Sequence, residues 1–146
     1  KFFDMVSDLS VPSVVWGGNY LLTPPSRCWL VWDKPEFPTM SSAELAWTNI
    51  SANTKRIECG RTHQADGAKE HATQKPLAVI TWSLSCLPVG IVYEPFAGSG
   101  TALVACENLG RKCRAVEIAP AYCAVILERM AQAFPKLEIT RDDGAG

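Results

Sequence analysis

Apolar residues gather in short blocks along the chain, and their spacing changes between the two halves. In the first half, Ser13-Val-Val-Trp-Gly17 and Cys28-Trp-Leu-Val-Trp32 are apolar almost throughout. Such short β-branched and aromatic runs, closed by Gly17-Gly18 and by Asp33-Lys34-Pro35, predict strands of the kind buried in a parallel sheet. Ahead of them, Phe2, Phe3, Val6 and Leu9 share one side of a short helix predicted over Phe2–Leu9. Pro24-Pro25 breaks the segment between the two strands. Ser42–Trp47 fits either a short helix or a strand. Residues 51–70 are polar and predict one long loop, a length that in compact domains goes with function or disorder.

The second half is more regular. Leu77, Ile80, Leu84 and Leu87 fall at helical spacing over Lys75–Leu87, with Pro76 near the first turn. Gly90–Tyr93 reads as a strand, and Gly100–Leu109 as a helix closed by Gly110 at its C-cap. Cys113–Ile118 reads as a strand. Pro120–Phe134 is a helix in which Tyr122, Val125, Ile126 and Arg129-Met130 follow the 3.6-residue period. Leu137–Thr140 predicts a last short strand, and Asp142–Gly146 a loose tail. Strand–helix alternation of this kind implies an α/β fold with a parallel-rich sheet and right-handed crossovers.

Composition adds bounds. The 146 residues, 47% apolar and 20% charged, suit one domain over residues 1–146 with a packed core. The formal net charge of −1 gives no support for a nucleic-acid partner. It does not exclude one, because Lys34, Lys55, Arg56, Arg61, Lys69 and Lys75 are spread over the middle of the chain. The 51–70 loop is equally well a DNA-contacting segment or a solvated one. Asp33-Lys34 is either a surface pair or the polar end of a strand facing a cleft. No apolar run approaches the ~18 residues of a membrane span, and Asp4 and Asp8 interrupt any leader-like opening. The first residue is Lys1, which predicts further residues upstream.

Cys28, Cys59, Cys86, Cys106, Cys113 and Cys123 show no Cys-x-x-Cys spacing and read as reduced thiols of a cytoplasmic protein. Cys59, His63, Asp66 and His71 lack a regular zinc spacing, so no metal is expected. Trp16, Trp29, Trp32, Trp47 and Trp82 read as core.

One connection carries candidate chemistry. After the strand ending at Tyr93 comes Glu94-Pro95-Phe96-Ala97-Gly98-Ser99-Gly100-Thr101, then a helix. Doubly wound folds bind ligands at the carboxyl ends of strands. Gly98 and Gly100 let the backbone turn tightly and a ligand approach it. The helix start offers free N–H groups and a positive dipole end. Glu117, 17 residues after Gly100, ends the next strand, where an acid accepts hydrogen bonds from ribose hydroxyls. Phe96 fits two roles, a ring that covers an adenine or another arm of the ligand, or a core residue of a plain Gly-rich strand–helix turn. The site therefore predicts a nucleoside-containing ligand, without separating S-adenosylmethionine from NAD. Leu103 breaks the dinucleotide pattern G-x-G-x-x-G, and no Gly-Lys-Ser/Thr phosphate loop occurs.

These residues also carry a resemblance. Tyr93-Glu-Pro-Phe-Ala-Gly-Ser-Gly-Thr101 resembles the Asp-Pro-Phe-x-Gly-Ser-Gly-Thr motif of DNA N6-adenine and N4-cytosine methyltransferases. His71-Ala-Thr-Gln-Lys-Pro76 resembles their His-Pro-Thr-Gln-Lys-Pro motif. Gly110-Arg111, Val116-Glu117-Ile118 and Tyr122 resemble their Gly-Arg-x-x-x-Gly-x-Glu stretch and the tyrosine after it. Trp29-Leu-Val-Trp-Asp-Lys34 and Glu44-Leu-Ala-Trp47 are similar to segments of phage and prophage members. The motif order matches the permuted beta group of the family.

The resemblance implies a Rossmann-like class I methyltransferase fold, here incomplete at its N-terminus. It implies methyl transfer from S-adenosylmethionine to an exocyclic amine of a flipped DNA base, as in restriction–modification, with adenine the preferred target. The implied cofactor residues are Thr73, Gln74, Lys75, Glu94, Phe96, Ala97, Gly98, Ser99, Gly100, Thr101 and Glu117. Thr73 to Lys75 would approach the methionine end and Glu117 the ribose. The family's catalytic Asp-Pro-Pro-Tyr does not occur. Thr23-Pro24-Pro25-Ser26 has the prolines without the acid or the aromatic, so no catalytic residue is assigned and the motif is expected upstream of Lys1. Ala72, Glu94 and Ala115 stand where the family has Pro, Asp and Gly. Two alternatives accompany this reading: an inactive fragment that binds S-adenosylmethionine or DNA, and a Rossmann oxidoreductase. Unpaired sheet edges would favour a homodimer.

Overall fold

Two compact units organise the chain in the computed structural model, which describes residues 10–35, 41–60 and 74–140. The predicted helix at Phe2–Leu9, residues 61–70 of the polar stretch and the Asp142–Gly146 tail lie outside the described residues.

The first unit takes the described residues up to Gly60 together with Pro76–Val89. Four strands form its sheet: β1 (Val14–Trp16), β2 (Trp29–Asp33), β3 (Ala43–Thr48) and β4 (Lys55–Glu58), in the order β1-β3-β2-β4. The two apolar runs are strands, as the sequence predicts, but they are not neighbours in a parallel pair. β3 lies between them and runs antiparallel to both, with Trp47 opposite Val15 on one side and Trp29 on the other. Ser42–Trp47, open between helix and strand in the sequence, is thus an inner strand, and the last three residues of β3 are buried. The expected long loop is interrupted by β4, which pairs in parallel with β2, Trp32 opposite Ile57. An edge strand needs only one partner and tolerates charge on its free side, which is why Lys55-Arg-Ile-Glu58 pairs with only Ile57 half-buried.

Helix α1 (Leu77–Ser85) starts two residues later than the periodicity suggests, with Pro76 as its N-cap. A proline has no N–H to contribute and suits that boundary. Cys28, Leu30 and Ala46 form the centre of the core, and Val14, Trp16, Ile50, Ala52, Trp82 and Cys86 pack around them. Alternation along β2 buries Leu30 and Trp32. Several buried polar groups find backbone partners. Trp32 Nε1 donates to the Cys59 carbonyl at 2.7 Å, Trp47 Nε1 to the Pro24 carbonyl at 2.8 Å and Ser83 Oγ to the Val79 carbonyl at 2.7 Å. Thr23-Pro24-Pro25-Ser26 is therefore tied to the β3 end: Pro24, Pro25 and Ser26 line a pocket of about 260 Å³ with Arg27 and residues 47–51.

Asp33-Lys34 is not a surface pair. Lys34 is 5% exposed; its Nζ meets Glu44 Oε1 at 2.5 Å and lies 4.7 Å above the Trp32 ring. Asp33 instead faces Arg56 at 2.9 Å.

The second unit contains Gln74, Lys75 and Gly90–Thr140. Strand β5 (Val92–Glu94) pairs in parallel with β6 (Cys113–Ala115), Tyr93 opposite Arg114. Helix α2 (Thr101–Asn108) lies between them in sequence, and α3 (Pro120–Ala133) follows. Gly110, with φ 62°, ends α2 as expected. Of Cys113–Ile118, Cys113–Ala115 is strand; Val116 still bonds to Glu94 and Ala97, and Glu117 lies in the loop that follows. Leu137–Thr140 is irregular, not a strand: it is exposed and has no strand to pair with among the described residues. None of the six cysteines is in a disulfide. Burial, with Cys106 beside it, pushes the Cys113 thiol up to about 12, which favours the protonated thiol at neutral pH. No described helix is long and apolar enough to cross a membrane.

Candidate functional site: the loop between β5 and α2

Parallel pairing sets the entrance of the loop. Val116 N–H donates to the Glu94 carbonyl at 2.9 Å and Ala97 N–H to the Val116 carbonyl at 3.0 Å, so the ladder continues past both strand ends. Glu94 turns back on its own loop and accepts the Phe96 N–H at 2.9 Å. Gly100 N–H then donates to the Ala97 carbonyl at 2.8 Å, which closes a tight turn at the start of α2. Gly98 (φ 54°) and Gly100 (φ 81°) are both left-handed there, a conformation that costs other residues ~1–2 kcal/mol.

The two glycines differ in what surrounds them. A side chain at Gly98 would meet nothing within 4 Å, whereas one at Gly100 would come to 3.0 Å from Ile126 Cγ1. One flank of the loop is open beside the Gly98 backbone and the other is sealed by α3. Phe96 is 71% exposed, while Ala97, Ser99 and Thr101 are buried.

Glu117 reaches across to this loop. Its Oε2 accepts the Gly98 N–H at 2.7 Å and its Oε1 accepts the Ala119 N–H at 2.9 Å. The acid expected from spacing alone is thus bonded to the glycine loop. Both carboxylate oxygens thus face backbone N–H groups at the turn, which fixes the acid beside the Gly98 backbone.

Gln74 and Lys75 belong to the same unit as the loop, and Gln74 Oε1 is buried without a hydrogen-bond partner among the described residues. A buried acceptor without a partner is costly, and a donor on a bound molecule would satisfy it. Thr73, His71 and Ala72 lie outside the described residues, as do His63 and Asp66 of the weighed zinc set. Ser99 and Thr101 turn their hydroxyls inward, toward Arg129. Sequence reasoning did not single out Arg129 as a site residue; the available signal was a cation inside the apolar period of α3.

Burial holds the Glu94 carboxyl above its usual range, opposed in part by the Phe96 N–H. A raised carboxyl destabilises the folded state while ionised, and the penalty disappears as pH falls through the folded value. Glu94→Gln keeps an acceptor for Phe96 and removes the charge. It should therefore raise the unfolding free energy at neutral pH, with the advantage over the wild type shrinking on acidification. Urea unfolding of both proteins across pH checks this; a pH-independent difference would contradict it.

A family model described as DNA methylase (N6_N4_Mtase) matches residues 10–128. Among solved structures, M1.HpyAVI in complex with SAM aligns with TM-score 0.53 and 24% identity, covering 70% of this chain and 60% of that one. TTHA0409 of Thermus thermophilus, a putative DNA modification methylase complexed with S-adenosyl-L-methionine, aligns with TM-score 0.55 and 23% identity over 81% of this chain and 58% of that one. PvuII DNA methyltransferase, cytosine-N4-specific, aligns with TM-score 0.53 and 17% identity over 80% and 52%. The chain thus spans 52–60% of these three proteins, and shares their fold over that part.

Proposed function

The chain belongs to the DNA methylase family, and from that premise we propose that it binds S-adenosylmethionine at the β5–α2 loop, for methyl transfer to an exocyclic amine of DNA. The observation that carries this reading is the bond between Glu117 and the Gly98 N–H, 2.7 Å long, at an open, left-handed turn after a parallel strand. Glu117 would hold the ribose hydroxyls. The exposed Phe96 ring would cover the adenine, and the bare Gly98 backbone lets the nucleoside lie close. Thr73, Gln74 and Lys75 would take the methionine end; the orphaned Gln74 Oε1 suits an ammonium donor. Glu94, Ala97, Ser99, Gly100 and Thr101 would shape the turn from behind. Bound S-adenosylmethionine supplies a methyl group activated on its sulfonium.

The 146 residues contain no Asp-Pro-Pro-Tyr, and we assign to this chain the cofactor-binding half of the reaction. Adenine N6 is the preferred target. Calorimetric titration of the chain with S-adenosylmethionine and with NAD tests the core of the proposal. Saturable binding of the first with little of the second is expected; tighter NAD binding would replace this reading with an oxidoreductase. Radiolabelled methyl transfer to unmethylated DNA tests the division of labour. Robust turnover by this chain alone would show that it carries its own base-handling groups.

A further inference from the structure

Arg129 belongs to none of the motifs above, yet its side chain reaches the tightest part of the loop. Its Nη1 lies 3.2 Å from the Ser99 carbonyl, 3.1 Å from Thr101 Oγ1 and 3.4 Å from Ser99 Oγ. One nitrogen with two N–H groups makes the first two contacts well, and the third is the weakest. Ser99 and Thr101 are 4% and 9% exposed, so these bonds are largely shielded from water. Ile126, three residues earlier and on the same face of α3, fills the space against Gly100.

A cation beside the start of a helix opposes the helix dipole. Electrostatic support of α2 is therefore not what the guanidinium contributes; the geometry instead joins the residues on either side of Gly100 to one rigid group. We propose that Arg129 is a positioning residue for the ligand loop, holding Ser99 and Thr101 so that the Gly98 backbone and Glu117 are presented to the nucleoside. Its consequence for affinity rests on the S-adenosylmethionine reading; its consequence for the loop does not.

Two measurements on the full chain keep these apart. In the ligand-free protein, Arg129→Met should speed amide exchange of Gly98 and Gly100, whose N–H groups are bonded to Glu117 and Ala97, by about tenfold, the effect of losing one charged hydrogen bond. The Val92 N–H, bonded to the Lys112 carbonyl at 2.9 Å in the β5–β6 ladder, should be unaffected. In titrations, Arg129→Met should raise the Kd for S-adenosylmethionine by about the same factor, and Arg129→Lys should recover part of it. Wild-type exchange at Gly98 and Gly100 in Arg129→Met, or equal acceleration at Val92, would overturn the inference. Should Arg129→Met not fold, Thr101→Val removes one acceptor and is read by the same amides; unchanged exchange in that variant would overturn the inference equally. If the wild type binds no S-adenosylmethionine, the proposed function falls, and the exchange result alone decides the role of Arg129.

Discussion

Glu117→Ala should weaken binding of S-adenosylmethionine by ~1–3 kcal/mol, or roughly 5- to 150-fold in Kd, the range for a lost hydrogen bond to a charged group. Two losses combine. The ribose hydroxyls lose their acceptor, and the Gly98 and Ala119 N–H groups lose the carboxylate that fixes them at 2.7 and 2.9 Å. Glu117→Gln separates the two. An amide oxygen still accepts one bond, but the charge is gone, so an intermediate Kd is expected. Calorimetry reports both variants, with thermal melting run alongside to show that each remains folded. A Kd equal to the wild type in Glu117→Ala would remove this residue from the site.

Gly100→Ala should cost about 2–5 kcal/mol of stability in the second unit, adding the left-handed backbone penalty to overpacking. The backbone at this position has φ 81°, and the new methyl would lie 3.0 Å from Ile126 Cγ1 and 3.3 Å from its Cγ2. Gly98→Ala is the control. It shares the positive φ, at 54°, but meets nothing within 4 Å, so only the backbone term of ~1–2 kcal/mol applies. Chemical denaturation orders the two; equal costs would mean that Ile126 does not constrain the turn. Binding should follow a different order. Gly98→Ala puts its methyl on the open side, where the nucleoside is proposed to lie, and so should impair affinity more than its stability cost suggests.

The elements that were legible in the sequence are those written in local signals. Residues 100–110 read as a helix because its apolar spacing and the closing Gly110 lie within three turns, and the structure places α2 at Thr101–Asn108. The same holds for α1 and α3. The loop was legible because its chemistry is contiguous: Glu94 to Thr101 follow one another, and Glu117 comes just after the next parallel strand. Two strand features were not legible. β3 fits two local patterns, and only the partners on either side, β1 and β2, make it a strand. β4 looks like loop because an edge strand draws its stability from backbone bonds to β2 and needs little apolar surface of its own.

Residue order alone thus carries the α/β class, the place of the turn and the acid that belongs with it. Strand order, the burial of Lys34 under Glu44 against the Trp32 ring, and the part played by Arg129 emerge only in three dimensions. The physical reason is separation along the chain. Lys34 and Glu44 meet only through the pairing of β2 with β3, and Arg129 reaches Ser99 across 30 residues because α3 packs beside the turn. Periodicity records which side of an element is apolar, but not which distant polar group that side will face.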